Sequence, residues 1–271
     1  MTIEATLADV QNESDERGVA LDRVGVTGLY FPLTIREQAG GQQVVTARVD
    51  LTVGLHQDQR GAHLSSLVEA LHVYQERLFS MDDLIALVQD IRARQDARGL
   101  AFDRAEVSIR FTYFVSKAAP ASGVRSLVAY DCGFDVEVGQ AGAKSIIVGV
   151  PVTSVCPCSL EISDIGAHNQ RAEVRVQLWQ PLDDPRFLWL EDLISLVEEC
   201  GSGSVHTVLK RADEKFVTEQ MFRSPRFVED IVRGVVVKLR SEVGAIRYRV
   251  ECESFESIHA HNAVAEVSGV C

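Results

Sequence analysis

The sequence predicts an α+β protein made of two copies of a ββααββ unit, with antiparallel sheets carrying their helices on one face. Three observations predict it. Runs rich in β-branched and aromatic residues alternate apolar and polar side chains, as half-buried strands do. Between them, apolar residues recur at three and four positions, as on one helix face. The order strand, strand, helix, helix, strand, strand then occurs twice in 271 residues. Residues 1–20 form a polar N-terminal segment, 21–140 the first unit and 141–271 the second, which carries most of the chemistry-bearing residues.

Residues 1–20 are expected to be poorly ordered. "RVGVTGLYFPLTIRE" and "QQVVTARVDLTVGLH" then read as strands, with Gly40-Gly41 suited to the hairpin turn between them. Leu64, Leu67, Val68, Leu71 and Tyr74 mark one helix, and Leu84, Ile85, Val88 and Ile91 a second. Ser80, with Asp83 three residues later, is a cap for the second helix. "AEVSIRFTYFVSK" and "RSLVAYDCGFDVEV" close the first unit as strands. The second opens with the strand "KSIIVGVPVTSV" and continues with "QRAEVRVQLW", where Ala172, Val174, Val176 and Leu178 share a face. "LWLEDLISLVEEC" and "SPRFVEDIVRGVVVKLRSEVG" read as helices, the latter capped by Ser224, with Pro225 in its first turn and Gly244 at its end. "AIRYRVECES" and "HNAVAEVSG" are the last strands. Helices on one face leave the other face partly apolar, which invites closure into a barrel or packing against another subunit.

Apolar residues make up 46% of the chain, enough for a sizeable core, and the formal net charge is −12. That acidity argues against a nucleic-acid partner bound over a broad face. A small anion held by a local Arg and Lys cluster stays open. No apolar run approaches the ~18 residues of a membrane span, and the acidic start "MTIEATLADVQNESDERG" is unlike a signal peptide. The six cysteines lie in a chain too long to need disulfide staples. The expectation is a soluble cytoplasmic protein with reduced thiols and no membrane partner. Cys132, Cys200, Cys252 and Cys271 lie singly and read as packing residues.

The densest chemistry lies in "VCPCSLEISDIGAHNQ", residues 155–170. Cys156 and Cys158 are too close for a structural zinc pair, and no second pair exists. A redox pair favours two intervening residues. His168 shares the parity of the apolar face of its strand. An inward histidine is more often a satisfied core residue than a ligand, and one thiolate with one imidazole is only half of a tetrahedral site. Two stretches could supply more. "LKRADEKFVTE" offers Lys210, Arg211, Asp213, Glu214, Lys215 and Glu219, and reads as a charged loop ahead of a helix. "ECESFESIHAHNAV" holds Glu251, Glu253, Glu256, His259 and His261 at a strand junction. Arg60 and His63 in "QDQRGAHLSS" precede the first helix, where backbone N–H groups suit an anion.

Taken together, "PVTSVCPCSLEISDIGAHNQRAEV", "LKRADEKFVTE", "SPRFVEDIVR" and "ESIHAHNAVA" resemble the type IB GTP cyclohydrolase family, from about residue 20 onward. The resemblance implies the tunnelling fold, in two ββααββ units that assemble into a barrel. It implies a homotetramer with active sites at subunit interfaces. It implies GTP as substrate, hydrolysed to formate and 7,8-dihydroneopterin triphosphate in the first step of tetrahydrofolate biosynthesis. Carried over residue by residue, Cys156 and His168 would be ligands of a divalent metal (Zn2+, Mn2+ or Fe2+). A carboxylate would join them, Glu214 first and Glu219 second. Their spacing puts them about 140° apart on an ideal helix, so both reach one metal only from a loop. Cys156 and His259 would be catalytic. Glu256 would anchor the base, and Lys210, Arg211, Arg171, Arg60 and His63 would complete the substrate contacts. Ser66 stands where the family's R-G-x-H-x-S-R run has arginine. Three other readings stay open: an archaeal-type cyclohydrolase giving a cyclic phosphate, a tunnelling-fold nitrile reductase, and a non-catalytic pterin- or purine-binding protein.

Overall fold

Local pattern and backbone agree for most strands in the computed structural model, which describes residues 9–75, 77–100, 102–139 and 142–271. The chain divides into two units. One runs through Arg110 and adds Phe134–Lys144; the other is Phe111–Gly133 with Ser145–Cys271.

In the first unit, β1 (Leu21–Arg36) pairs antiparallel with β2 (Gln42–Leu55). Gly40 makes the turn between them at φ +89°, a left-handed conformation that costs glycine little. Helix α1 (Leu64–His72) buries Leu67, Ala70 and Leu71, and β3 (Leu78–Phe79) pairs parallel with β1. Helix α2 (Met81–Asp96) starts on the expected capping box: the Ser80 hydroxyl accepts from Asp83 N, and the Asp83 carboxylate accepts from Ser80 N at 3.0 Å. Its face of Leu84, Leu87, Val88 and Ile91 is buried, each side chain contributing roughly 1.5–3 kcal/mol of transfer free energy. Strands β4 (Ala105–Ala118) and β5 (Arg125–Val138) contribute residues to both units.

Residues 1–8 of the polar segment lie outside the described residues. From Asp9 the chain is described. Val10–Asn12 form a 3-10 turn, and Ser14 bridges Gln59.

In the second unit, β6 (Ala143–Val155) leads into a short helix α3 (Pro157–Ile162), then β7 (Asn169–Pro181). Helix α4 (Leu190–Glu198) and β8 (Gly203–Ser204) precede helix α5 (Arg211–Arg223). Helix α6 (Val228–Lys238) continues into a π turn at Leu239–Val243 that Gly244 ends. Strands β9 (Arg247–Ser254) and β10 (Ala263–Val270) follow. The β7 face of Ala172, Val174, Val176 and Leu178 is buried, as its alternation requires. α6 packs on β9 and β10 with Val228, Ile231, Val232, Val235 and Val236 inward.

Three expectations are corrected. The separate antiparallel sheets of two tandem units, closing as barrels, are not what forms. The strands make one ten-stranded sheet, ordered β10-β9-β7-β6-β5-β4-β2-β1-β3 with β8 on β6, and it is mixed because β3 runs parallel to β1. The physical reason is the short β5–β6 connection: β6 pairs with the edge of β5 rather than opening a second sheet. "LKRADEKFVTE" is helix α5, not a loop. The next helix begins at Val228 rather than on Ser224, which instead ends α5; Asp230 Oδ2 accepts from Phe227 N at 3.0 Å and fixes the later start.

Candidate active site

β6 ends at Val155, and Cys156 becomes the N-cap of α3, with Pro157 supplying the fixed φ of its first position. The Cys156 Sγ accepts from Ser159 N at 3.4 Å. Twelve residues later the chain returns. Cys156 N donates to His168 O at 3.2 Å, and His168 N donates to Ser159 Oγ at 3.3 Å. Those two bonds make neighbours of residues that no single helix face could join. Gly166 turns the returning strand at φ +69°.

His168 and Gln170 share one face at the start of β7, as residues two apart on a strand do. His168 is mostly buried, its side chain 13% exposed. Its Nδ1 lies 3.0 Å from Gln170 Oε1 and 3.7 Å from Glu256 Oε2. Gln170 Nε2 donates to Glu256 Oε1 at 3.3 Å, and Ser257 Oγ donates to Gln170 Oε1 at 3.3 Å. Glu256 reaches this position because β9 pairs with β7 in the register Ala172↔Ser254, and Phe255 N donates to Arg171 O at 2.9 Å. The loop beyond carries His259, whose ring meets His168 edge-on at 6.2 Å and stacks on His261 at 5.1 Å. The structure thus brings His168 together with Glu256 and His259 from two distant stretches of the sequence, with the Cys156 backbone bonded to His168. Arg171 is exposed beside them.

The other expected residues stand differently. Glu214 and Glu219 both lie on helix α5, where about 140° separates their directions. Glu219 pairs with Lys215 and with Arg223, the latter at 3.3 Å. The far end of α5 lies by the cysteine–histidine loop, since a Cβ on Gly166 would meet Phe222 at 3.6 Å. Lys210 and Arg211 are exposed at the near end. Arg60 and His63 belong to the first unit, where residues 9–13 occupy them. Glu13 pairs with Arg60, Gln11 Oε1 accepts from His63 N at 2.6 Å, and His63 Nε2 meets Asn12 Oδ1 at 3.0 Å. Ser66 is buried, donating to His63 O at 2.8 Å and receiving Gln95 Nε2 at 3.1 Å.

The donor set suits a divalent metal in part. Cys156 offers sulfur and His168 an imidazole nitrogen, a borderline pair for Zn2+, Mn2+ or Fe2+. Among the described residues, however, no three His, Cys, Asp or Glu side chains gather closely enough to hold a metal ion. Three buried thiols elsewhere are poor ligands. Burial pushes Cys200 up to about 11 and Cys252 up to about 12, and raises Cys132 as well, so all three stay protonated at neutral pH.

Two supports had no signal of their own in the sequence. Asp213, buried at the start of α5, accepts from Ala121 N, Ser122 N, Ser122 Oγ and Lys210 N at 2.7–2.8 Å. Burial alone would raise its pKa; the Ser122 hydroxyl and the N–H groups of Lys210, Ser122 and Ala121 outweigh that and hold it well below the usual carboxylate range. Glu198 accepts from Lys117 Nζ at 2.6 and 2.7 Å and from the Tyr130 hydroxyl at 2.7 Å, while Lys117 also reaches Val205 O at 3.4 Å. That network fixes the segment leading into α5. Only the partners, far away in sequence, give either acid its role.

No helix among the described residues is long and apolar enough to cross a membrane. Compared with known proteins, residues 7–265 match the family described as type I GTP cyclohydrolase folE2. The chain is 46% identical over 263 residues to GTP cyclohydrolase FolE2 of Desulfovibrio desulfuricans, covering 96% of this chain and 97% of that protein. It is 42% identical over 261 residues to GTP cyclohydrolase FolE2 of Syntrophotalea carbinolica, covering 96% and 94%. Among solved structures, a uricase from Bacillus fastidious is similar at a TM-score of 0.49, with 9% identity over 94% of both chains. The matching descriptions read type I and FolE2, where the motifs had suggested the label type IB. The chain belongs to the type I GTP cyclohydrolase FolE2 family.

Proposed function

We propose that this protein is a GTP cyclohydrolase, converting GTP and water to formate and 7,8-dihydroneopterin triphosphate. The observation that carries the reading is the convergence of Cys156, His168, Glu256 and His259 in a chain of this family. Guanine presents two adjacent N–H donors, at N1 and the 2-amino group. A carboxylate such as Glu256 accepts both in parallel, which adenine cannot match. Ring opening at C8 moves a proton onto a ring nitrogen, and His259, on the exposed loop beside His168, is the group to carry it. Cys156, which caps α3 and is bonded through its backbone to His168, is the thiol assigned to the same step. Arg171, Lys210 and Arg211 are exposed cationic groups suited to the triphosphate.

The finer features belong to the same proposal. A divalent metal, with Cys156 and His168 as ligands and Glu214 or Glu219 as the carboxylate, would supply a water of lowered pKa. A homo-oligomer, a tetramer by the family resemblance, and the subtype IB belong to the same reading. The six free cysteines suit a reducing cytoplasm. The test is formate release from GTP, assayed before and after dialysis against a strong chelator, with product analysis. Linear triphosphate and formate, lost with the metal and restored by Mn2+ or Zn2+, are expected. Absence of formate from GTP overturns the reading, and full activity in verified metal-free protein overturns its metal.

A further inference from the structure

Gln170 is the hub of the cluster, yet neither motif nor chemistry singles it out. Its amide makes three contacts with three different residues: Oε1 with His168 Nδ1 at 3.0 Å and Ser257 Oγ at 3.3 Å, and Nε2 with Glu256 Oε1 at 3.3 Å. The orientation of the amide follows from its neighbours. Glu256 as a carboxylate can only accept, so the NH2 of Gln170 must face it. The carbonyl oxygen then faces His168, and it too can only accept. Nδ1 of His168 must therefore carry the proton, with Glu256 Oε2 at 3.7 Å as a second acceptor on the same side. In the neutral ring the lone pair is then left on Nε2.

We propose that Gln170 is a positioning residue with two linked jobs: it fixes His168 in the Nδ1–H tautomer, and it holds Glu256 by one oxygen. A single amide thereby presents the lone pair of His168 and the carboxylate of Glu256 in one fixed relation. An imidazole left to itself prefers the proton on Nε2, the nitrogen that must be bare to meet an electrophile. Second contacts of this kind commonly set which ring nitrogen is available. The inference rests on the proposed roles of His168 and Glu256, but its first readout does not depend on catalysis.

The experiment compares the full chain with Gln170→Leu and Gln170→Glu, each dialysed against a chelator so that protein groups alone set the tautomer. The ring nitrogens are read by 15N NMR of histidine-labelled protein, with His168 assigned by its loss in His168→Asn. In the unaltered chain His168 is expected as Nδ1–H. Gln170→Leu removes the acceptor and is expected to move the proton to Nε2. Gln170→Glu still accepts from Nδ1–H and keeps the tautomer, but sets a carboxylate against Glu256. The KM for GTP, measured on separate samples of the same variants with metal restored, should then rise about 10- to 100-fold, the loss expected for one charge-assisted contact, with kcat changing less. A role confined to packing would move neither the tautomer nor KM alone. An unchanged tautomer in folded Gln170→Leu, or a lost one in Gln170→Glu, overturns the proposal. Inactivity of the unaltered chain toward GTP counts only against the proposed function, since the tautomer is read without substrate.

Discussion

Cys156 and Cys158 differ by a single intervening proline and face different surroundings. Cys156 caps α3 beside His168, while Cys158 is exposed in the first turn. Cys158→Ala should keep most of the activity, and Cys156→Ala should lose at least about 100-fold, the scale of removing one group that acts in the transition state. Steady-state assays of both, beside metal content by elemental analysis, check this; equal losses count against the assignment. Glu256→Gln turns one acceptor into a donor that opposes an N–H of guanine. That mismatch should weaken GTP binding by on the order of 2–4 kcal/mol, or about 30- to 1000-fold, with bound metal unchanged. Calorimetric titration with GTP measures it, and intact binding with lost metal would place Glu256 in the metal shell. Cys156, His168, Glu256 and His259 were legible because their residue types are chemically distinctive and their motifs resemble a family. Gln170 was not. Glutamine is common, and its meaning lies in three partners, one of them 86 residues away.

Among the elements, α5 shows what periodicity cannot reach. Its apolar residues, Phe216, Val217, Met221 and Phe222, are few and sit among charges, so the segment reads as a solvated loop. What makes it a helix is tertiary: Asp213 ties its first turn to Ala121 and Ser122. A prediction follows from the depressed pKa of Asp213. An unfolded Asp takes up its proton near pH ~4, and folded Asp213 does so only at lower pH. Between those points the unfolded chain binds one more proton, so the carboxylate's contribution is whole above pH ~4 and falls away as acid is added. Asp213→Asn should be less stable at neutral pH and should lose less stability between about pH 4 and pH 2. Urea unfolding across that range tests it; an identical pH slope in both proteins would discount the buried carboxylate. Strands such as β5, by contrast, were legible to the residue, because alternation survives in any surroundings.

For the whole molecule, local pattern identified strands without saying which sheet they join. Nothing in "RSLVAYDCGFDVEV" or "KSIIVGVPVTSV" records that the second pairs with the first; that choice is made by a short connection and an edge in need of a partner. β10 ends the strand order, and its alternate residues Val264 and Val270 are exposed. An open edge and apolar side chains favour association. Light scattering should give a multiple of the 29.8 kDa chain mass, and specific activity should fall on dilution if subunits share sites. A fully active monomer would contradict the shared site.

The loop between Cys156 and His168 is a ring already shut by two hydrogen bonds, Cys156 N to His168 O and His168 N to the Ser159 hydroxyl. Bringing together the ends of a flexible chain of that length costs about 2 kcal/mol of configurational entropy. Folding has met that cost before any ligand arrives. Whatever the thiol and the imidazole hold therefore meets them at their working separation, and its affinity reflects bond strength rather than the ordering of a loop. A mutation that loosens the ring, such as Ser159→Ala, which loses the bond to His168 N but keeps Cys156 N to His168 O, would return part of that entropy to the binding step and weaken every ligand alike.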